Sequence, residues 1–440
     1  MHRFTLRVFG CQMNSYDGDR LRTAMIHKGW TETPDETADV VFLVTCSIRE
    51  KAEQKVASEI GRYDLQFRKT GGPILVLVGC MAQRIGREMA KKFPCIRIVS
   101  GPRHLGLVPQ AVEDTMQDGR ARFFFDDDPR ALDDLEVVPT ERTNPFKAFV
   151  TISYGCDRFC SYCIVPHVRG RLQSRAPEEI LTEVETLAQT GVKEISLLGQ
   201  NVDAYGKDGS GGYGFARLLD DVSKIEGVER IRFYTSHPKD FDEDILEVMA
   251  RAPRICRAIN LPVQSGSDRI LKEMNRGYTS AQYLELVAKI RAALPDVSLT
   301  TDLIVGFPGE TDEEYHMSYD LLKSVKFDIV HTAAYSPRPG TRAAVMDGQI
   351  DKRVKAARLN EINEMQSGVA RELNEAYVGG TFKVLLDAPA PRGEGLLQGR
   401  TMTDKVVIVS GNVLNLGQFV DVKITGASHW SLQGERFEGE

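Results

Sequence analysis

The sequence lacks any apolar run long enough to cross a membrane. Its longest apolar runs, such as ILVLVG at 74–79, are of strand length, whereas a membrane helix needs about 20 apolar residues. The N-terminal residues MHRFTLRVFG contain no apolar core of a signal peptide. We therefore expect a cytoplasmic protein with no membrane partner.

Positive charge and cysteine are also scarce. The formal net charge is -6, from 56 Lys and Arg against 62 Asp and Glu, so the overall field does not attract phosphate and any RNA contact must be local. Only eight of the 440 residues are cysteine. Because cytosolic thiols stay reduced, cysteines that cluster there indicate metal or redox chemistry more often than disulfides.

The pattern of apolar runs predicts several α/β and β domains. Over residues 1–122, strand-sized runs alternate with amphipathic helices, which predicts a parallel sheet. Residues 123–145 are acidic, proline-containing and aperiodic, which is typical of a linker. Residues 146–376 contain six strand candidates separated by helices, which indicates a partial barrel or an open parallel sheet. Residues 377–440 carry short β runs joined by glycine turns, which favours a small antiparallel, OB-like barrel.

Three cysteines fall within eight residues at Cys156, Cys160 and Cys163, directly after the predicted strand AFVTISYG. A reduced structural cluster is one interpretation. A zinc site is another, since His167 would complete a set of three cysteines and one histidine. The third is a cubane iron–sulfur cluster held by three thiolates, with one iron open to a ligand. The position after a strand of a large α/β domain, where such folds place their active sites, favours the cluster.

A second set of cysteines is dispersed along the chain. Cys11, Cys46 and Cys80 each follow the last residues of a predicted strand. Because parallel strands end at one edge of a sheet, these thiols should converge and hold a second cluster, again with three ligands. The alternative is that all three are structural. Cys95 and Cys256 lack such a context and are interpreted as buried small apolar residues.

The residues around both cysteine sets resemble a known family. The stretch YGCDRFCSYCIVPHVRG resembles the cluster motif of radical S-adenosylmethionine (SAM) enzymes. The whole chain resembles the methylthiotransferases, and within them the MiaB type, through six stretches: FGCQMNSYDGDR, TCSIREKAEQKV, YGCDRFCSYCIVPHVRGRLQSR, LPVQSGSDRILKEMNRGYT, TTDLIVGFPGET and AYSPRPGT. This resemblance implies an N-terminal parallel-sheet α/β domain, a central radical SAM partial (β/α)6 barrel, and a C-terminal TRAM domain.

The resemblance also implies a reaction and its cofactors. The reaction is methylthiolation of C2 of N6-isopentenyladenosine at position 37 of tRNA, with two SAM and two [4Fe-4S] clusters. An electron donor such as flavodoxin or ferredoxin is a further implied partner. Three alternatives remain open: action on a different modified adenosine, a zinc-dependent RNA-binding protein without catalysis, and a radical SAM methylase in which the dispersed cysteines are structural.

Two further groups of residues are expected at the site. By the resemblance, residues that follow the strands of the central domain contact SAM: Tyr162, Gln200, Asn201, Ser236, Gln264 and Gly306. Arginines within and just beyond the compact cysteine motif form a basic run that is expected to contact RNA phosphates: Arg158, Arg169, Arg171 and Arg175.

Overall fold

The computed structural model describes residues 2–34, 37–47, 50–125, 132, 134–209 and 212–437. The chain divides into two compact units. The first unit comprises Met1–Asp157, Ile164–Thr190 and Leu198–Gln200, and the second comprises Arg158–Cys163, Gly191–Leu197 and Asn201–Glu440.

A parallel sheet forms the centre of the first unit. Its strands are β1 (Arg3–Val8), β2 (Thr31–Glu32), β3 (Val40–Thr45), β4 (Ile74–Gly79), β5 (Ile96–Ser100) and β6 (Arg122–Phe124). They are arranged in the order β2-β1-β3-β4-β5-β6. The register pairs Val8 with Val44 and Thr45 with Gly79, so β1, β3 and β4 end at the same edge of the sheet.

Helices cover both faces of this sheet. They are α1 (Gln12–His27), α2 (Glu50–Thr70), α3 (Cys80–Lys92) and α4 (Val108–Asp118), and a 3₁₀ turn at Leu105–Leu107 precedes α4. Alternate residues of β3 enter different cores: Phe42 packs with residues of α1 and α4, whereas Leu43 packs with residues of α2 and α3. Side chains that point to opposite faces along a strand explain why the run VVFLVT is buried throughout.

The remainder of the first unit follows the predicted linker. Its elements are β7 (Lys147–Thr151), β8 (Ser153–Tyr154), α5 (Val165–Val168), β9 (Gln173–Ser174) and α6 (Pro177–Gln189). Strand β6 ends at Phe124, so the regular structure runs slightly beyond the predicted start of the linker at Phe123. Residues 126–131 and 133 of that predicted linker lie outside the described residues.

In the first part of the second unit, parallel strands alternate with helices. Its strands are β10 (Glu194–Leu198), β11 (Arg230–Phe233), β12 (Ala258–Asn260), β13 (Ser298–Val305) and β14 (Ile329–Ala334). Its helices are α7 (Phe215–Ser223), α8 (Glu243–Arg251), α9 (Asp268–Glu273), α10 (Ser280–Ala293), α11 (Asp312–Val325) and α12 (Lys352–Glu375), with 3₁₀ turns at Val202–Ala204 and Arg342–Val345. Strand β10 pairs with β11, and β12, β13 and β14 pair in that order. Residues that follow these strands therefore gather at the carboxyl edge.

A closed barrel completes the second unit. Its strands β15 (Thr381–Pro389), β16 (Leu396–Arg400), β17 (Val406–Ser410), β18 (Phe419–Ala427) and β19 (Leu432–Arg436) close in the order β15-β16-β17-β19-β18, and a 3₁₀ turn lies at Val413–Asn415. The pairs are antiparallel apart from the parallel pair β17 and β19. Two buried arginines of β11 reach into the barrel, where Arg230 and Arg232 donate hydrogen bonds to the carbonyl oxygens of Arg400 and Thr401.

The predicted fold class is confirmed, since a parallel-sheet domain, a parallel βα core and a five-stranded barrel are all present. None of the described helices combines the length and the apolar character that crossing a membrane requires. The domain boundaries given above stay predictions.

A substitution at Gly79 can test how tightly the carboxyl edge of the parallel sheet is packed. Its φ is +102°, and a Cβ there would come within 2.5 Å of the Thr45 carbonyl oxygen. We expect Gly79→Ala to lower the free energy of unfolding by at least about 2 kcal/mol, because a strained φ adds to a backbone clash. Urea unfolding of the full chain checks this.

The control for that variant is Gly61→Ala, in α2, where a Cβ would meet nothing within 4 Å. It should leave stability unchanged or raise it by up to about 1 kcal/mol, because alanine is the better helix former. Equal stability of the two variants would contradict the packing described for β4.

Candidate functional site

The dispersed cysteines lie at the carboxyl edge of neighbouring strands in the first unit. Cys11 precedes α1 as its N-terminal cap residue, Cys46 directly follows β3, and Cys80 opens α3 directly after β4. Cys46 and Cys80 are buried, with 1% and 4% exposure, and Cys11 is partly buried. The parallel sheet thus brings together three residues that are far apart in sequence.

The thiols of this set act on one another. A Cβ at Gly10 would come within 2.4 Å of the Cys46 Cβ, so the turn before Cys11 lies directly against Cys46. A hydrogen bond with Cys46 is the largest cause that lowers the pKa of Cys11 to about 6, and the positive charge of Arg169 acts in the same direction. Burial raises the pKa of Cys80. Thiolate is therefore favoured at Cys11, where a metal would bind it.

A buried arginine completes this set. Arg169, which follows α5 and is 4% exposed, donates from Nε to the Cys80 sulfur over 3.3 Å. Its Nη2 donates to a carboxylate oxygen of Asp17 at 3.2 Å. A guanidinium buried beside thiols compensates the negative charge that bound thiolates bring.

The residues of this set fit an iron–sulfur cluster. They supply three soft thiol donors, a partly buried setting and a cation within hydrogen-bonding distance of one sulfur. Within the described part of the chain, no three His, Cys, Asp or Glu side chains are grouped so as to hold one metal ion.

The compact cysteine motif is divided between the two units. In the first unit, the Cys156 backbone N–H donates to the Gly170 carbonyl oxygen at 3.2 Å. The preceding Gly155 has a φ of +67°, and a Cβ there would lie 2.0 Å from the Arg171 carbonyl oxygen. Only glycine therefore allows the chain to pass this close to residues 170–171.

In the second unit, Cys160 and Cys163 share one turn, with the Cys163 N–H bonded to the Cys160 carbonyl oxygen at 2.9 Å. Arg276, which is 5% exposed, donates from Nη1 to the Cys160 sulfur at 3.4 Å. The turn is fixed from outside by backbone hydrogen bonds of Ser161 with Met274 and Ala343. Each cysteine set therefore has one buried arginine that donates to a sulfur.

Most of the residues predicted to contact SAM also lie in the second unit. Asn201 donates to Asp240 at 2.6 Å, and Ser236 donates to Asp203 at 3.1 Å. Gln264 has a φ of +70°. Non-glycine residues at positive φ are costly and collect at functional sites.

Several buried polar atoms of the same region lack hydrogen-bond partners, as do others elsewhere in the protein. Among the residues that the structure describes, no hydrogen-bond partner is found for Asn201 Oδ1, Gln264 Oε1, His237 Nε2 or Ser161 Oγ. Buried polar groups are usually hydrogen-bonded, so these atoms could bind a polar ligand such as the amino acid and ribose groups of SAM. In the first unit, no partner is found among the described residues for either side-chain amide atom of Gln200.

Two predicted SAM contacts already pack against other residues of the protein. Tyr162 is partly buried and packs against a core that includes Met274 and Phe307. A Cβ at Gly306 would come within 2.4 Å of the Lys355 Cγ, so close packing with α12 already explains this glycine. All of these contacts stay predictions.

The predicted RNA-binding arginines have partners inside their own units. In the second unit, Arg158 pairs with Asp240. In the first unit, Arg171 pairs with Asp157 at 2.7 Å and Arg175 with Glu183 at 2.7 Å. Arg171 retains 48% exposure of its side chain, whereas Arg169 is buried on Cys80. An RNA contact stays a prediction for this set.

Sequence reasoning did not single out four residues at these sites: Asp203, His237, Asp240 and Arg276. One of them, Arg276, lies in a stretch that carries the family resemblance, LPVQSGSDRILKEMNRGYT. Burial, followed by the nearby charge of Arg276, lowers the pKa of His237 to about 2, so this imidazole is neutral. Their roles depend on partners far along the chain, which no local pattern shows.

A cavity of about 740 Å³ lies elsewhere in the first unit, lined by α1, α6, residue 132 and residues 134–138. Two arginines of its lining form ion pairs: Arg175 binds Glu183, and Arg20 binds Asp134. Tyr16 and Tyr154 donate hydrogen bonds to the same two carboxylates.

Three family models match separate parts of the chain. A model described as an uncharacterized protein family, UPF0004, matches residues 3–101. The model of the radical SAM superfamily matches residues 150–322, and that of the TRAM domain matches residues 375–437. With the parallel βα core and its cysteine motif, these matches define a radical SAM enzyme, a class that uses SAM and an iron–sulfur cluster.

Solved structures show the same fold. The radical SAM methyltransferase TsrM from Kitasatospora setae, solved with cobalamin and a [4Fe-4S] cluster, matches with a TM-score of 0.54 and 17% identity over 78% of this chain and 74% of that chain. The cobalamin-dependent radical enzyme OxsB matches with a TM-score of 0.51 and 14% identity over 83% of this chain and 56% of that chain. At these identities the likeness shows the fold alone.

Curated relatives match almost end to end. The tRNA-2-methylthio-N(6)-dimethylallyladenosine synthase of Natranaerobius thermophilus is 43% identical over 99% of this chain and 97% of its own length. The enzyme of the same name from Aquifex aeolicus is 43% identical over 99% of both chains. The chain belongs to this family of radical SAM tRNA methylthiotransferases, which confirms the family predicted from the sequence.

The buried carboxyl group of Asp203, near the predicted SAM contacts of the second unit, should make the stability of the protein depend on pH. Burial raises its pKa to about 7, against the opposing hydrogen bonds from the His237 N–H and Ser236 and the charge of Lys207, while Asp242 adds to the rise. The folded state thus holds this proton more tightly than the unfolded state, so stability is lost as the pH rises towards and through about 7. We expect the unfolding midpoint of Asp203→Asn to fall less than that of the wild type between pH 5 and pH 8, in thermal scans without SAM.

The control is Asp118→Asn. A hydrogen bond from Arg122 lowers the pKa of Asp118 to about 2, so its titration ends below the window used. This variant should keep the wild-type pH dependence. An Asp203→Asn slope equal to that of the wild type would show that Asp203 is ionised throughout.

Proposed function

We propose that this protein methylthiolates C2 of N6-isopentenyladenosine at position 37 of tRNA, using two SAM and two [4Fe-4S] clusters. The observation that carries the proposal is the presence of two separate cysteine sets, each with a buried arginine on one sulfur. Family membership supports the tRNA substrate, since the relatives are named for this product. A single-cluster enzyme would need the dispersed set, Cys11, Cys46 and Cys80, only for its structure.

The residues divide the work as follows. Cys156, Cys160 and Cys163 would hold one cluster, and Cys11, Cys46 and Cys80 the other. When bound, the clusters and SAM supply a radical that breaks an aromatic C–H bond and a source of sulfur. An aromatic C–H offers no acidic proton to a side-chain base, so the protein's own task is to bind, orient and exclude water.

The unsatisfied atoms of the second unit are suited to hold SAM. Asn201 and Gln264 each have a side-chain carbonyl oxygen with no hydrogen-bond partner in the described part of the chain, and Ser236 donates a hydrogen bond to Asp203. The neutral His237 can accept or donate a hydrogen bond without adding charge. We assign Tyr162, Gln200 and Gly306 to the same cofactor on the family resemblance. An electron donor such as flavodoxin or ferredoxin completes the system.

The first test is nucleoside mass spectrometry of tRNA from cells that lack the gene. The deletion should remove 2-methylthio-N6-isopentenyladenosine and accumulate its unthiolated precursor, and the wild-type gene should restore the product. The gene with Cys46→Ala should not restore it. If deletion leaves the precursor level unchanged while another modified adenosine is lost, the substrate is that nucleoside instead.

A matched control uses Cys95→Ser. Cys95 is fully buried and forms a hydrogen bond with Asp64 that serine can keep. This variant should restore the product like the wild type. Restoration by Cys46→Ala as well would show that the dispersed cysteines are structural, as in a methylase with one cluster.

Iron content tests the number of clusters. The reconstituted wild type should contain about eight irons per chain, as two cubanes require. Replacing Cys11, Cys46 and Cys80 together by alanine should leave about four, and Cys95→Ser should leave about eight. A wild type that loads about four irons, or zinc instead, contradicts the proposal.

The barrel is a candidate contact for tRNA. Trp430, in the loop between β18 and β19, is 74% exposed and lies beside His429 at 5.0 Å between ring centroids. Stacking of one unpaired base on an aromatic ring is worth about 1–3 kcal/mol. Position 37 lies in a loop, where bases are more easily splayed out.

We expect Trp430→Ala to weaken tRNA binding by roughly 5-fold or more, as measured by filter binding at fixed salt. Leu414→Ala is the matched control, because Leu414 is 81% exposed on the same barrel but has no ring. Equal affinity of both variants and the wild type would place the tRNA contact away from Trp430.

A further inference from the structure

Arg169 occupies an unusual position for a residue in a basic run. Its guanidinium is buried in the first unit, where Nε donates to the Cys80 sulfur at 3.3 Å. Its Nη2 donates to Asp17 at 3.2 Å and lies 3.5 Å from the Asn14 side-chain oxygen. To reach an RNA phosphate it would have to break these contacts and leave Cys80.

The charges beside the cysteines form two ion pairs. Asp17 is 3% exposed and pairs with Arg169, while the neighbouring Arg20 pairs with Asp134 at 2.8 Å. These pairs leave no net charge, so the Arg169 N–H donor on the Cys80 sulfur is what would stabilise a thiolate there. The pKa of Arg169 is raised by Cys80 and Asp17, against the effect of burial.

The backbone of Arg169 is fixed as firmly as its side chain. Arg103, which is 4% exposed, donates from Nη1 to the Arg169 carbonyl oxygen at 2.8 Å and from Nη2 to Gln173 at 2.7 Å. Ile164 and Val168 of the same segment pack on Cys80. The segment therefore shields Cys80 from water while it supplies a donor to the sulfur.

The same segment also contacts the other cysteine set. The Gly170 carbonyl oxygen accepts the Cys156 N–H at 3.2 Å. Close approach at Gly155, where a Cβ would lie 2.0 Å from the Arg171 carbonyl oxygen, fixes this contact. Residues 169–171 thus touch Cys80 through a side chain and Cys156 through the backbone.

We propose that Arg169 is a positioning residue of the cluster held by Cys11, Cys46 and Cys80. Its N–H donor on the Cys80 sulfur stabilises the reduced cluster and raises its reduction potential, and its backbone fixes that cluster relative to the Cys156 turn. Hydrogen bonds to ligand sulfurs and nearby charge both tune such potentials. The inference rests on the proposed function in assigning a cluster to these cysteines.

The experiment isolates that cluster in the full chain. Cys156, Cys160 and Cys163 are replaced together by alanine, so that only the dispersed cysteines load iron, and the midpoint potential is followed by electron paramagnetic resonance during redox titration. Arg169→Met should shift the midpoint potential downward, because a donor and a positive charge are lost. Arg169→Lys, which keeps the charge, should recover part of the shift.

Asp17→Asn provides a test with the opposite sign. It removes a negative charge beside Arg169 while it keeps an acceptor, so the midpoint potential should rise. A purely structural role would lower iron loading in both variants without shifts of opposite direction. Arg171→Met is the control, since its exposed guanidinium is screened by water, and it should leave the potential unchanged.

The outcomes separate the two claims. Full iron loading of Arg169→Met with an unchanged potential, or a downward shift in Asp17→Asn, overturns the role of Arg169 alone. Failure of the background protein to bind iron with Arg169 intact overturns the proposed second cluster, and the role of Arg169 with it. If Arg169→Met loads poorly, the Arg169→Lys and Asp17→Asn shifts decide the question.

Discussion

The site formed by the dispersed cysteines, Cys11, Cys46 and Cys80, depends on the parallel register of three strands. Because Val8 pairs with Val44 and Thr45 pairs with Gly79, β1, β3 and β4 end level with one another. One cysteine follows the end of each of these strands: Cys11 after β1, Cys46 after β3 and Cys80 after β4. A slip of one residue in this register would also exchange the two faces of β3, placing Phe42 and Leu43 in the wrong cores. The hydrophobic pattern that specifies the register therefore also aligns the thiols.

In both cysteine sets, a buried arginine is placed to offset the negative charge that buried thiolates would carry. Thiolates that are buried away from water need a compensating positive charge. A guanidinium group stays charged at every relevant pH and offers several N–H donors. Arg169 donates a hydrogen bond to the Cys80 sulfur, and Arg276 donates one to the Cys160 sulfur. Both arginines are in turn oriented by protein acceptors, Asp17 for one and the Pro262 carbonyl oxygen for the other. In each set the second donor contact fixes the direction of the first.

Sequence reasoning predicted the features that follow from local pattern. Alternating apolar runs indicated the parallel sheet of the first unit, and the cysteines after three of its strands were expected to converge. The strand β19 (LQGER) has polar residues that give no strand signal, and it is held by pairing with β17 and β18. It also assigned Arg169 by composition to a basic run, whereas Asp17 and Cys80 determine its place. Such contacts join residues far apart in sequence and leave no short-range trace.

Gln264 combines two features that cost free energy in the protein alone. It lies near the carboxyl edge of the second unit with a positive φ, and among the described residues its amide oxygen has no hydrogen-bond partner. In the same described part of the chain, buried atoms without a hydrogen-bond partner also occur at Arg230 and Arg232 of β11, so the coincidence with a positive φ is what distinguishes Gln264. A ligand that satisfied this oxygen would recover part of the cost and would thereby stabilise this edge.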